Sequence, residues 1–332
     1  SAESAGVGGK EFVAAVIQAD VGALAARPIT LPFLIKAFEA GGEIPQSRTD
    51  LYHRGCRYLC EEANPARRRT SVATHRTPDE RVAVASRFAA ITMFGNRAAM
   101  WTGPESDGPP DEDVPLAQML GGVETHDGRE VVFAMPEATD ALDTGLFSSR
   151  GLNRIGWSHH SYAEYLAAHY VCVRALRTAQ IETILLHPED PEGGVVPQLV
   201  VTAAWIASMR DDVFALMVER DPTALFSADL LLVTEEQRRR LVQRIFSDED
   251  SLRRAARDWG SRRHWRKLRN PWLSADLEAV LDDPLRSALA KRIAFELATA
   301  CRASALVPRA LLVALDIDAD IQVREAAAEL AA

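Results

Sequence analysis

At 332 residues the chain exceeds what one small core needs, and two or three domains are expected. Its 47% hydrophobic and 26% charged content excludes an intrinsically disordered protein, and a net charge of −9 argues against wholesale electrostatic binding to nucleic acid or an anionic membrane, leaving room only for local patches. No apolar run approaches a membrane span and the polar start lacks a signal-peptide core, so no membrane association is expected. The four cysteines (Cys56, Cys60, Cys172 and Cys301) form neither a C-x-x-C pair nor a disulfide framework, which suits a cytoplasmic, reducing compartment. Richness in Ala, Leu and Arg with few alternating β-branched runs predicts a mainly α fold.

In chain order, residues 11–24 read as an amphipathic helix with Phe12, Val13, Val16, Ile17 and Leu24 as its apolar positions. A second helix begins near Pro28 and stops at Gly41-Gly42; a third runs from Pro45 and Ser47 to about residue 63, stopped by Asn64-Pro65. Thr77-Pro78-Asp79-Glu80 is a strong helix start, and that helix continues to Met93. Residues 102–113, with three prolines and five acids, are expected as a surface loop. A short helix over 115–120, a turn at Asp127-Gly128, a strand over 130–134 and a helix from Pro136 to Asp143 follow. Residues 146–149 and 154–157 flank 150–153 as a β-hairpin.

The next stretch is Gly156-Trp157-Ser158-His159-His160-Ser161-Tyr162-Ala163-Glu164-Tyr165-Leu166-Ala167-Ala168. Apolar or aromatic residues at 162, 165, 166, 170 and 173 have helical spacing, and Ser161 and Glu164 stand three apart as a capping box would. A strand end, a helix start and two histidines meet there. The junction is either a phosphate-type anion site on a helix N-terminus or an ordinary capped core helix. Beyond residue 175 the chain reads as helical throughout, over 196–209, 211–219 and 235–246. It ends in an internal repeat: residues 288–298 superpose on 321–331, and 280–283 on 313–316, in one register of 33 residues. An acidic turn before an Ala-rich helix at that period resembles HEAT-type repeats, whose helix pairs bury their faces by stacking.

Candidate chemistry is sparse. Residues 4–11 imitate a phosphate loop, but Ser4 and Glu11 occupy the places that need Gly and Ser or Thr, and no strand precedes them. His53, Cys56 and Cys60 share a helical face without a fourth ligand, and His159, His160 and His169 lack an acidic one, so no metal is expected. No nucleophile elbow is present, and Asp211-Asp212 and Asp282-Asp283 lie at turns or helix starts, where acids serve the helix dipole; no catalytic residue is assigned. Residues 253–269 reverse the acidic balance with Arg253, Arg254, Arg257, Arg262, Arg263, Arg266, Lys267 and Arg269, interleaved with Trp259, Trp265 and Trp272. Arg262, Arg263, Arg266, Lys267 and Arg269 form a candidate anionic-partner patch; the same residues suit helix packing with snorkelling stems.

Residues 157–168 resemble the aromatic-x-His-x-Ser-aromatic-x-Glu-aromatic-Leu-Ala-Ala signature that closes the winged-helix domain of NACHT-type STAND ATPases. Ala26-Arg-Pro-Ile-Thr-Leu-Pro-Phe-Leu34 is similar to the helical segment that follows the ATPase core in bacterial members, and residues 47–62, 140–147 and 267–332 resemble the next helix, the winged helix and the helical-repeat arm. The resemblance implies a helical domain (1–76), a winged helix with a small β-hairpin wing (77–176) and a HEAT-like arm (177–332). It implies that His159 contacts the β-phosphate of bound ADP and that Pro28 packs near the adenine. No Walker lysine, Walker acid run or sensor region is present, so the chain is expected to be the regulatory part of such a protein, without an NTPase core and not itself an enzyme. ADP or ATP, with Mg²⁺, would then belong to the parent protein. The implied partners are that core, a homo-oligomer on activation, and a protein or nucleic-acid trigger, and the implied setting is bacterial defence. The alternative is a winged-helix and helical-repeat module that binds nucleic acid or a protein.

Overall fold

The computed structural model describes residues 8–18, 25, 31–44, 47–61, 76–126, 128–189, 193–227, 234–257 and 265–332. The protein is mainly helical and divides into two compact units, Ser1–Ile184 and Leu185–Ala332. Residues 1–76 and 77–176, expected as separate domains, therefore fall within one unit.

In the first unit, α1 (Gly9–Gln18) buries Phe12 and Val16, one turn apart, and Phe12 packs edge-on to Phe38 of α2 (Leu31–Gly41). Gly42, at φ +69°, ends α2 in the left-handed region that favours glycine. Helix α3 (Arg48–Leu59) is capped by Ser47, whose hydroxyl accepts from the Asp50 amide. It ends at Cys60, short of residue 63.

Helix α4 (Pro78–Phe94) starts where expected, with a complete Thr77/Glu80 capping box and Pro78 in its first turn. Nearly every residue from Arg81 to Met93 is buried, so this helix is surrounded by other elements. Arg81 fits because its guanidinium makes a bidentate pair with Asp140 (2.7 and 3.1 Å) and donates to the Cys60 carbonyl (2.7 Å).

Between α4 and the next long helix lie the short elements β1 (Ala99–Trp101), β2 (Asp113–Pro115), β3 (Val123–His126), β4 (Arg129–Val132), α5 (Met135–Leu142), β5 (Phe147–Gly151) and β6 (Arg154–Trp157). A four-stranded sheet has the order β2-β1-β6-β5; β1 runs parallel to β2 and antiparallel to β6. The expected β5–β6 hairpin is present, with Gly151 and Asn153 at positive φ in its turn. The stretch 102–113 is not wholly a surface loop. Asp113 is buried at the start of β2, where Arg154 holds it bidentately at 2.6 and 2.8 Å. The expected helix over 115–120 is a single 3₁₀ turn, Leu116–Met119. Strands β3 and β4 form a separate hairpin turned at Gly128.

Helix α6 (His160–Val173) makes the most extensive helix contact of this unit, against α4. Ala163, Ala167 and Ala168 are fully buried, and their small side chains permit close approach of the two backbones. The sheet is tied to this pair by Trp157, whose indole N–H donates to the Thr92 hydroxyl (3.1 Å) while its ring stacks on Phe147 (4.5 Å).

Helix α7 (Thr178–Leu185) reaches the division between units. In the second unit, a 3₁₀ turn (Pro197–Leu199) leads into α8 (Val200–Met209), followed by α9 (Asp211–Arg220) and α10 (Pro222–Ser227). Then come α11 (Glu235–Ile245), α12 (Glu249–Arg257) and the 3₁₀ turn Trp265–Leu268. The last elements are α13 (Leu273–Asp282), α14 (Ala288–Cys301), α15 (Val307–Leu315) and α16 (Ile321–Ala331). The sequence repeat coincides with two helix pairs. Helices α14 and α16 begin at equivalent positions after the N-caps Ser287 and Asp320, and α13 and α15 end at the equivalent C-caps Asp283 and Asp316. Among the described residues no helix is long and apolar enough to cross a membrane.

Gly55 of α3 lies directly beneath the ring of Phe33, which is itself wedged against Tyr52 and Tyr162. Gly55→Ala is expected to destabilise this unit by about 1–3 kcal/mol, although alanine is the better helix former, because the added methyl overlaps a ring that cannot retreat. Urea denaturation measures it, and a stabilised variant would contradict this packing.

Candidate functional site

The strand-to-helix junction is built by β6 and α6. Trp157 is anchored in the core, the Ser158 amide donates to the Leu146 carbonyl (2.8 Å), and His159 takes an extended conformation (φ −146°, ψ 140°) before the helix begins. His159 itself is the N-cap. Its Nδ1 accepts from the Ser161 amide (3.1 Å) and lies 2.8 Å from the Ser161 hydroxyl. This corrects the capping box expected from Ser161 and Glu164: Ser161 lies inside the first turn, and Glu164 faces His160 Nε2 at 3.7 Å along the helix. The imidazole takes the place of the usual Ser or Asp because the backbone turns helical two residues earlier than the motif suggests.

That bond assigns a tautomer. With Nδ1 accepting, a neutral imidazole carries its proton on Nε2. Partial burial, and then repulsion from neighbouring His160, holds the His159 pKa below its ordinary value, so the ring is neutral at physiological pH. The junction thus presents an exposed imidazole with its N–H on the nitrogen not used by the cap, at the positive end of a 14-residue helix.

Behind His159 the aromatic residues of the motif point inward, as their spacing predicts. Tyr162 packs on Phe33 (5.7 Å) and Tyr165 on Tyr52 (5.6 Å), fixing α6 to α2 and α3. Burial pushes the Tyr162 phenol up to about 12.

At the far end of α6 the structure assembles residues that sequence reasoning left apart. The ring of His169 lies 5.2 Å from that of His53 and 5.2 Å from that of His126. Beside this trio is a cavity of about 270 Å³ lined by His53, Arg57, Asp79, Glu80, His126, Arg129 and Val131. Its carboxylates have partners within the fold: Asp79 pairs with Arg57, and Glu80 closes the cap of α4. Three histidines on α3, β3 and α6 share no local motif, so only the tertiary fold reveals them.

The other candidates separate. Cys56 and Cys60 are fully buried, and burial raises both thiols, Cys60 to about 12, the reverse of what a thiolate ligand needs. His159 and His160 lie at the opposite end of α6 from His169. Among the described residues no group of three or more His, Cys, Asp or Glu is arranged to hold a metal ion. Pro28, Arg262, Arg263 and Trp259 lie outside the described residues. Of the basic patch, Arg266 and Arg269 are exposed and Lys267 is half-buried. Of its aromatic residues, Trp265 takes the packing role, a core residue whose carbonyl accepts from Cys301, while Trp272 is exposed and overlain by the Arg239 guanidinium at 5.3 Å. Compared with protein-family models, curated proteins and solved structures, the chain gives no match.

Protonation of Nδ1 would remove the acceptor that caps α6. Because the folded-state pKa of His159 is lowered, its stabilising contribution is fully present above the ordinary imidazole pKa and is lost as pH falls through the depressed value. His159→Ala is expected to cost about 1 kcal/mol at neutral pH and much less in mild acid. Denaturation midpoints on either side of that range measure it; an equal cost at both would show that the ring does not cap the helix as an acceptor.

Proposed function

We propose that the chain is the regulatory portion of a NACHT-type STAND ATPase, with a helical domain, a winged helix and a HEAT-like arm, and that His159 is its nucleotide-sensing contact. The observation that carries the reading is the geometry of His159: its Nδ1 accepts from the Ser161 amide, so that the neutral ring, favoured by a lowered pKa, keeps its N–H on Nε2 at an exposed helix N-terminus. That donor suits a phosphate oxygen, and the helix dipole adds to the attraction without a net charge on the ring.

The fold supports the same reading. The order α4, β1, β2, a 3₁₀ turn, the β3–β4 hairpin, α5 and the β5–β6 hairpin, with β6 between β1 and β5, suits a winged helix with an inserted hairpin. The register of caps between α13–α14 and α15–α16 suits a helical repeat. Motif residues Tyr162 and Tyr165 join the hairpin-following helix to α2 and α3, so a contact made at His159 bears directly on the helical segment beside it.

In this reading an NTPase core binds ADP, with Mg²⁺, and performs the hydrolysis. His159 donates Nε2–H to the β-phosphate and holds the winged helix in a closed, inactive arrangement. Loss of that contact on exchange to ATP shifts the population toward an open, oligomerising state, through the difference in contacts alone. His159 acts as a tie, and no residue of this chain acts in catalysis.

In the protein carrying the NTPase core, His159→Ala is expected to accelerate ADP release by about tenfold or more, the worth of one hydrogen bond to a charged acceptor. His159→Gln, which retains a side-chain N–H donor, should recover part of the loss. Release of a fluorescent ADP analogue measures both, and unchanged retention in His159→Ala would rule the contact out.

A further inference from the structure

Helix α15 carries apolar residues on its exposed side as well as on its inward side, where Val307, Val313 and Ala314 are half-buried beside Ala310. The small Ala310 is fully buried, while Leu311, Leu312 and Leu315 are exposed at 49%, 67% and 78%. With Pro308, also exposed, these residues follow the i, i+3, i+4, i+7 pattern and span about 100° of the helix surface. Ile317 in the following turn (80%) and Ile321 at the start of α16 (60%) extend the apolar surface. The preceding repeat carries Glu278, Ala279 and Asp282 at the places of Leu311, Leu312 and Leu315, and all three are exposed. The same structural position is thus solvated in one copy and apolar in the next. A contiguous apolar stripe of this kind marks an interaction surface.

The charges beside the stripe select its occupant. Arg309 and Asp316 are two turns apart, and so lie on the same flank of α15, on either side of Leu312. If two copies of α15 pack antiparallel about a two-fold axis near Leu312, like flanks meet with their ends reversed. Arg309 then faces the partner's Asp316, and Asp316 faces the partner's Arg309, giving two symmetric ion pairs beside a leucine seam. Within one chain Arg309 pairs with Asp282 (2.8 Å), an exposed pair that exchanges at little cost. Asp316 is exposed, its carboxylate accepting from the Asp318 amide.

We propose that α15 is a homodimerisation surface, on which a second copy of this chain seats its own α15 in antiparallel orientation. The inference rests on this stripe and its flanking charges, independently of the nucleotide-switch reading.

Sedimentation equilibrium of the whole chain tests it. The wild type is expected to dimerise at micromolar concentration. Leu312→Asp and Leu315→Asp, both at exposed positions, should be monomeric with an unchanged far-UV spectrum. Arg309→Glu should weaken the dimer about tenfold by setting like charges opposite each other, and Arg309→Glu combined with Asp316→Arg should restore it. A wild type that stays monomeric, a dimer indifferent to Leu312→Asp, or a double variant no tighter than Arg309→Glu would each overturn the proposal; the first would hand the stripe to a different partner.

Discussion

The packing of α4 against α6 is the constraint on which the first unit depends. Helix α4 is buried on almost every side, where an unpartnered polar group is costly; among the described residues its Ser86 hydroxyl has no hydrogen-bond partner, but its larger polar groups do. Arg81 finds partners in Asp140 and the Cys60 carbonyl, and Thr92 in the Phe88 carbonyl and the Trp157 indole. These bonds are also the joints of the architecture. The first joins α4 to α5 and to the end of α3, and the second joins α4 to the sheet. Small residues along α6 let it lie close to α4, and the tyrosines of the same helix reach α2 and α3.

His159 takes its properties from that frame. Trp157, anchored two residues earlier, aims the chain, and the first turn of α6 supplies the amide that Nδ1 accepts. The orientation of the ring, its tautomer and its lowered basicity follow from position, not from any special feature of histidine. An exposed imidazole on a rigid helix terminus is preorganised to donate, so binding an anion there costs little ordering.

The second unit obeys a different rule, that of repetition. Caps at Ser287 and Asp320, and at Asp283 and Asp316, start and stop its last four helices in register. The repeat keeps the positions where α13 and α15 end and where α14 and α16 begin. It changes the outward face, where Glu278, Ala279 and Asp282 give way to Leu311, Leu312 and Leu315. Interior contacts restrict the first set of positions, and whatever meets the surface restricts the second.

Much of this could be read from residues alone. The Thr77/Glu80 cap, the helix stop at Gly41-Gly42, the β5–β6 hairpin and the repeat register are all local, since hydrogen bonds a few residues apart or a simple period encode them. The inward packing of Tyr162 and Tyr165 was equally legible as helical spacing. Strands β1 and β2 were not: three residues each carry no alternation, and they exist because β6 and each other pair with them. The cap of α6 was misplaced by two residues because which atom caps a helix depends on where the backbone leaves the strand, a decision taken by the anchored Trp157. Trp265 offers a stacking ring in sequence and fills a core in the fold, since composition cannot say which side of a turn faces the solvent. The meeting of His53, His126 and His169 required three elements distant in sequence to converge. Local bonding and periodicity were determined by the sequence itself; burial, cap identity and long-range juxtaposition were decided by the tertiary structure, because they depend on which surfaces the helix packing within each unit leaves open.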